Sequence, residues 1–291
     1  MKVYLEQETW PEGPERGIAL GTFDGVHLGH QALIAELLAD AKRSGRVPSV
    51  FTFSDHPDLV FKDRDTFPGL IMTVDEKLNA FAALGVEEVF LLPLAPEIYR
   101  LSAEEFLQDL LRERLNTGFV VVGEDARFGS CRSGDVELLR AWGQENQVET
   151  SIIPDLYIDE RKISSTGIRH LLKHGDLKQA SKLLGRSFGF VTAVSEMRVV
   201  ERSVGDPVSS GVGQLQLKVI ELELAYPQEI VTLPPGQYQA KVYTKGSIDS
   251  DRTELMTIQA DIMIENHCPL IKTYLSVETK FPFPEFYISF E

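Results

Sequence analysis

Gly21-Thr22-Phe23-Asp24-Gly25-Val26-His27-Leu28-Gly29-His30 stands between two unlike periodicities. Before it, Ile18-Ala19-Leu20 is a short apolar run that reads as a buried strand. After it, Ala32, Leu33, Ile34, Leu37, Leu38 and Ala41 recur at helical spacing. A glycine-rich turn carrying two imidazoles therefore joins a strand to a helix. The first turn of a helix has unsatisfied N–H groups and the positive end of the helix dipole, which favour an anion such as phosphate. Gly21, Gly25 and Gly29 let a ligand approach the backbone, and His27 and His30 can both donate to phosphate oxygens on which charge develops. The competing reading is an ordinary strand–loop–helix corner with two incidental histidines. The concentration of Gly and His on the one turn able to use them favours the phosphate site.

Outward from this turn, strand-like runs alternate with amphipathic helices as far as about Leu184. Val50–Phe53, Val89–Leu92, Phe119–Val122 and Thr150–Ile153 read as strands. Thr73-Val74-Asp75-Glu76 reads as a capping box opening a helix that turns Leu78, Phe81 and Ala82 inward and stops at Gly85. Ser102-Ala103-Glu104-Glu105 opens another, through Phe106, Leu110, Leu111 and Leu115, and a further helix lies near Val136–Gln144. Strands alternating with helices predict an α/β fold, a Rossmann-like doubly wound parallel sheet covered on both faces. Its ligand crevice should lie at the carboxyl ends of the strands, where the opening turn falls.

After about Gly185 the helical period vanishes. Gln214–Val219, Gln239–Tyr243, Leu255–Ile264, Thr273–Val277 and Phe286–Phe290 alternate in the manner of strands, and Leu233-Pro234-Pro235-Gly236 reads as a turn. The apolar phase flips at Ile220, Leu222 and Leu224, which suggests a bulge there. This half reads as a small antiparallel barrel or sandwich. The boundary is placed at 186, giving a nucleotide-binding domain over 1–186 and a β domain over 187–291.

A chain of 291 residues with 43% hydrophobic residues has room for two ordinary domains. Its formal net charge of −15 disfavours nucleic acid, whose phosphate backbone needs clustered Lys and Arg. Cys131 and Cys268 lack metal-ligand spacing and suggest no disulfide framework. The opening MKVYLEQETW lacks the charged-then-apolar pattern of a signal peptide, and no apolar run has the length of a membrane span. A soluble cytoplasmic protein that binds no membrane is the expectation.

Two further segments suit a nucleotide. Gly123-Glu124-Asp125-Ala126-Arg127-Phe128-Gly129 follows a strand at the same sheet edge. Arg127 can pair with phosphate, and Asp125 can accept from a nucleotide hydroxyl or amine. The plainer reading is a charged loop held by an Arg–Asp pair. Ser164, Ser165 and Thr166 begin a short helix ending near Gly175, with Arg169 one turn in. They are good N-caps in any case, and they also present hydroxyls and free N–H groups to a triphosphate.

Gly-x-Phe-Asp-Gly-Val-His-x-Gly-His resembles the signature of the prokaryotic FAD synthetase (FMN adenylyltransferase) family, within the nucleotidyltransferase superfamily that carries His-x-Gly-His. Gly123–Gly129 resembles that family's Gly-x-Asp/Asn-Phe-Arg-Phe-Gly loop, with Ala126 where the family usually has Phe. Ile163-Ser164-Ser165-Thr166-Gly167-Ile168-Arg169 resembles its Ile-Ser-Ser-Thr-x-Ile-Arg motif. Phe51–Pro57 is similar to the segment that lines the flavin side in relatives, with Ser54-Asp55 replacing the usual Pro-bearing form. The resemblance runs from about 17 to 186, with the motifs in the family's order.

It implies in-line attack of an FMN phosphate oxygen on the α-phosphorus of ATP, giving FAD and pyrophosphate without a covalent enzyme intermediate. His27, His30 and Arg169 would be catalytic. Gly21, Phe23, Asp24, Gly29, Gly123, Asp125, Arg127, Ser164, Ser165 and Thr166 would bind ATP, and Phe53 and His56 the flavin. Mg²⁺ would come with ATP, mostly keeping its waters, with no dedicated protein metal site.

Relatives of this length carry a C-terminal riboflavin kinase barrel. Leu184–Phe188 and Leu233–Tyr238 resemble parts of it. The kinase hallmark Gly-x-Pro-Thr-Ala-Asn is missing, because the region reads Gly205-Asp206-Pro207-Val208-Ser209-Ser210. The basic glycine loop is replaced by Met197-Arg198-Val199-Val200-Glu201-Arg202. Glu278 and Glu285 have no context that marks either as a catalytic base. A degenerate barrel and no kinase activity are the expectation. Two other functions stay open: a nucleotidyltransferase for another phosphorylated small molecule, and a non-enzymatic flavin- or nucleotide-binding regulator. Nothing in the sequence identifies a protein partner.

Overall fold

The computed structural model describes residues 1–5, 10, 12–61, 67–204, 215–244, 257–265, 268–276 and 285–291. The chain divides into two compact units. One comprises Met1–Ile168 with Leu183–Gly185, and the other Arg169–Lys182 with Arg186–Glu291.

The first unit is built on β1 (Lys2–Tyr4), β2 (Arg16–Leu20), β3 (Val47–Phe53), β4 (Glu88–Leu92), β5 (Thr117–Gly123) and β6 (Glu149–Ile153). They form one sheet in the order β1-β4-β3-β2-β5-β6, with every pairing parallel. Adjacent strand residues point to opposite faces, so the inner strands β2 to β5 each feed two cores. Ala19, Val50, Val89, Leu91 and Val121 pack on one face with Leu33, Ile34, Leu37 and Phe81. Ile18, Phe51, Phe90, Leu92, Val120 and Val122 pack on the other with Phe106, Leu110, Leu111, Leu139 and Trp142. Burial on both faces is why these strands read as continuous apolar runs. The parallel sheet predicted from the alternation is the one observed.

The helices follow the local signals. α1 (Leu28–Ser44) ends at Gly45 in the left-handed conformation. α2 is Pro57–Phe61. α3 (Val74–Leu84) opens with the Thr73–Glu76 capping box and ends at Gly85, φ 98°. α4 is Pro96–Tyr99. α5 (Ala103–Glu105) opens with the Ser102–Glu105 box and runs on through Phe106–Arg114 with π-type bonding. α6 is Val136–Asn146, α7 is Ser165–Lys173 and α8 is Leu177–Leu184. A short hairpin of β7 (Tyr157–Ile158) and β8 (Arg161–Lys162) precedes α7. One inward face differs from the sequence reading. On α3 the buried residues are Lys77 and Phe81, while Ala82 is exposed. A polar side chain at a core position is invisible to an apolar pattern.

Strand order places the site. The chain runs from β2 through β3 to β4 in one direction, then returns to lay β5 on the other side of β2. This reversal opens a crevice at the carboxyl ends of β2 and β5. The turns after those two strands are the Gly21–His27 and Gly123–Phe128 segments.

In the second unit, β9 (Gly189–Val204), β10 (Leu215–Ala225), β11 (Gly236–Thr244), β12 (Thr257–Glu265), β13 (Cys268–Ser276) and β14 (Glu285–Phe290) close into an antiparallel barrel in the order β10-β13-β12-β11-β14-β9. Phe190, Ala240, Val242, Ala260, Ile262, Ile264, Phe286, Ile288 and Phe290 are buried at alternate positions. A barrel, not an open sandwich, is therefore the outcome for this half. The bulge is displaced from where the phase flip puts it. Pairing of β10 with β9 runs unbroken through Val219 and Ile220 and shifts only between Glu223 and Leu224. Residues 205–210 and Glu278, where the kinase comparison falls, lie outside the described residues. Among the described residues no helix is long and apolar enough to cross a membrane.

Candidate active site

The turn between β2 and α1 is wound tightly. Phe23 (φ 54°), Gly25 (φ 85°) and Val26 (φ 38°) all occupy positive φ, which costs a non-glycine residue about 1 kcal/mol or more. Tertiary contacts hold them there. Phe23 is fully buried, its ring 5.3 Å from that of Phe81 and 5.1 Å from that of His30. Both carboxylate oxygens of Asp24 accept the Ile71 N–H, at 2.9 and 3.1 Å. Gly25 is needed because a Cβ would lie 3.0 Å from the Ile71 side chain in addition to its positive φ. The Ser165 hydroxyl donates to the Asp24 carbonyl at 2.8 Å, so the start of α7 is fastened to the turn.

His27 is the N-cap of α1, and its Nδ1 accepts the His30 N–H at 3.3 Å. That bond makes Nδ1 the acceptor and leaves the imidazole proton on Nε2. The His27 and His30 rings stack, with centroids 3.7 Å apart and planes 13° apart. Gly29 makes room for this arrangement, since a Cβ there would stand 3.1 Å from His27 Cε1. Burial holds the His30 imidazole well below its ordinary pKa, and the neighbouring His27 and Lys77 lower it further. Its Nδ1 is enclosed without a hydrogen-bond partner. The pair thus presents neutral imidazoles beside the free N–H groups of a helix start.

The other candidates fall as follows. Gly21 stands at the end of β2, where its Cβ position faces the Phe23 ring at 3.1 Å. Gly123 ends β5. Asp125 is exposed and pairs with Lys162, whose Nζ lies 3.2 Å from it and 2.5 Å from Asp155. Arg127 is exposed and donates to the Ala126 carbonyl at 2.8 Å. The cation on Asp125 is therefore Lys162, not the Arg127 of the plainer sequence reading. Ser164 caps α7, accepting the Gly167 N–H at 3.2 Å, and Thr166 is exposed. Arg169 is buried one turn further on, where the second unit begins. Phe53 and His56 are half-buried and line a small cleft with Thr22, Asp24, Asp55 and Lys77. His56 Nδ1 accepts the Asp58 N–H at 3.1 Å.

Two residues missed in the sequence belong to this surroundings, Lys162 and Lys77. Lys77 is buried and donates to the carbonyls of Phe53 at 2.8 Å and Thr22 at 3.3 Å. Its only sequence signal was its place four residues before Phe81 on the inward stripe. For a metal, the described residues contain no group of three or more His, Cys, Asp or Glu side chains that could hold one. The Asp24 carboxylate is already occupied by the Ile71 N–H.

A parallel sheet with a capped, histidine-bearing turn at its point of reversal defines a Rossmann-like domain of the nucleotidyltransferase type. Residues 11–167 match the model of the FAD synthetase family. The chain belongs to that family. A bifunctional riboflavin kinase/FMN adenylyltransferase of Buchnera aphidicola subsp. Schizaphis graminum is 33% identical over 194 residues, covering 66% of this chain and 62% of the relative. This chain therefore spans about three fifths of that relative's length. The protein of the same description from Escherichia coli strain K12 is 29% identical over 269 residues, 91% of this chain and 85% of the relative. The solved structure of a macrolide-efflux protein from Streptococcus pneumoniae is 20% identical, with a TM-score of 0.77 over 99% of this chain and 88% of that chain. It shares the fold.

Proposed function

We propose that this chain is an FMN adenylyltransferase, transferring AMP from ATP to FMN to give FAD and pyrophosphate, and that it lacks riboflavin kinase activity. The observation that carries the transferase reading is the stacked His27–His30 pair on the first turn of α1, at the carboxyl edge of β2. An FMN phosphate oxygen bonds to the α-phosphorus as the bond to the bridging oxygen breaks. Pyrophosphate leaves with that electron pair. No proton has to be taken from the phosphate nucleophile, so neutral histidines serve as donors rather than bases. His27 and His30 bind the polyphosphate beside the α1 N–H groups, with His30 set against the charge that develops in the transition state. Ser164, Ser165, Thr166 and Arg169 hold the β- and γ-phosphates. Gly21, Gly29, Gly123, Asp125 and Arg127 frame the nucleotide, and Phe53 and His56 the flavin. Mg²⁺, when bound, offsets the charge of the triphosphate.

In this reading residues 1–186 carry the transferase. The barrel of residues 187–291 keeps its strands without kinase groups, because alternation and packing specify a barrel irrespective of its site. Ala126 and Ser54-Asp55 support a second acceptor reading. Ser54 Oγ donates to Asp55 at 3.1 Å, giving the acceptor side a polar wall. Incubation of the protein with ATP, Mg²⁺ and FMN, with chromatography for FAD and an enzymatic assay for pyrophosphate, tests the reading. Pyrophosphate release with a different phosphorylated acceptor but none with FMN overturns it in favour of the second. No turnover of any acceptor, with nucleotide bound, favours the regulator.

A further inference from the structure

Lys77 is used by none of these steps, yet it is the buried cation of the cleft. Its Nζ lies within hydrogen-bond distance of the Phe53 carbonyl (2.8 Å), the Thr22 carbonyl (3.3 Å) and Thr52 Oγ1 (3.4 Å). An ammonium has three donors, and here three oxygens meet them. Thr52 in turn donates to the Thr22 carbonyl at 3.2 Å. Thr22 belongs to the phosphate-binding turn, and Phe53 ends β3 where the acceptor side begins. Beyond the last backbone bond between them, from the Gly21 N–H to the Phe51 carbonyl at 3.4 Å, the turn and the end of β3 are thus tied through one side chain.

The charge is expensive to keep there. Burial pushes the Lys77 pKa down to about 8, against the pull of Asp24 and Asp55. No carboxylate is among its three hydrogen-bond partners, so no ion pair at contact distance offsets the desolvation. An apolar residue beside Phe81 would serve the core without that cost. The titratable groups facing Lys77 are Asp24 on the turn, Asp55 and His56 after β3, and His30 on α1. The two carboxylates hold the ammonium charged, and the ammonium in turn opposes a proton on His30.

We propose that Lys77 is a positioning residue for phosphoryl chemistry at this site. Its ammonium clamps the Thr22 carbonyl of the phosphate turn to the Phe53 carbonyl of the acceptor side and sets a positive charge beside the His27–His30 pair. The proposal rests on the transferase reading for its kinetic consequence and on the fold alone for its effect on His30. The clamp sets the distance between attacking and attacked phosphates, so its loss acts on kcat more than on either KM. A displacement of about 1 Å at such a site costs about a hundredfold in rate.

The experiment compares the full-length wild type with K77M and K77R. The His30 imidazole is titrated by NMR in the ligand-free protein, and kcat and both KM values are taken from pH 6 to 9. K77M is expected to lose ten- to a hundredfold in kcat with KM for ATP within a few-fold, and its His30 titrates at higher pH. K77R keeps the charge, so His30 titrates as in the wild type and part of kcat returns. A folded K77M with wild-type kcat, or with an unmoved His30 titration, overturns the proposal. Should K77M not fold, K77R decides: a raised His30 pKa, or activity below a hundredth of wild type, overturns it. Because the titration needs no turnover, failure of FAD synthesis in the wild type remains distinguishable from failure of the clamp.

Discussion

Gly29→Ala separates the stability of α1 from the chemistry of its first turn. Gly29 is the second residue of the helix, where alanine is intrinsically better than glycine by up to about 1 kcal/mol. The added Cβ, however, would stand 3.1 Å from His27 Cε1 and 3.2 Å from its Nδ1, so the ring must move by a few tenths of an ångström. It is tethered to His30 by the 3.3 Å bond from the His30 N–H and by the stack at 3.7 Å. Weakening that cap costs about 1 kcal/mol, which cancels the helix gain. Net stability should stay within about 1 kcal/mol of wild type, a Tm change of roughly 2–4 °C or less in a unit of this size. The rate has no such compensation. Removing an oriented donor outright costs about 10²–10³ in kcat, and a displaced one should lose about tenfold or more. FAD formation under saturating ATP and FMN, paired with a thermal melt, measures both. Wild-type kcat with an unshifted His27 NMR signal would refute the argument that Gly29 exists to seat that ring.

His30→Ala should lower kcat by about 10²-fold or more while Tm falls only slightly, since the side chain is half-buried and its Nδ1 makes no hydrogen bond. A large Tm loss with unchanged activity per folded molecule would make His30 structural. Because His30 is held below its ordinary pKa, the unfolded chain binds the extra proton first as pH falls through 6.5, so stability should drop on acidification. The H30A melt should lose that part of the slope. Lys77 shows the same sign at alkaline pH. Its pKa of about 8, against 10.5 unfolded, means stability gains up to about 3 kcal/mol between those values, a rise that urea melts of K77M should lack. Riboflavin with ATP and Mg²⁺ should yield no FMN by chromatography, and FMN formation that disappears on deleting residues 187–291 would overturn the degenerate-barrel reading.

Much of the site is local and was legible in the sequence. The strand, the glycine turn and the helix lie within one short stretch, and both capping boxes and the stop at Gly85 depend on residues three or four apart. The apolar runs of β2 to β5 followed from burial on both faces. The sequence therefore determined β2 to β6, the longer helices α1, α3 and α6, the doubly covered sheet and the make-up of the turn after β2. β1, β9, the β7–β8 hairpin, α2 and α4 carried no signal that was read, and Met197–Arg202, read as a replaced loop, lies within β9. The tertiary structure decided which strand lies beside which, and with it the meeting of the turns after β2 and β5. It decided that Asp24 holds the Ile71 N–H, 47 residues away, and that Asp125 meets Lys162, 37 residues on. It also turned Lys77 inward onto carbonyls 24 and 55 residues distant. Periodicity records only which positions are apolar. A charged side chain is buried when oxygen atoms converge on it in space, and that convergence is set by the order of the strands.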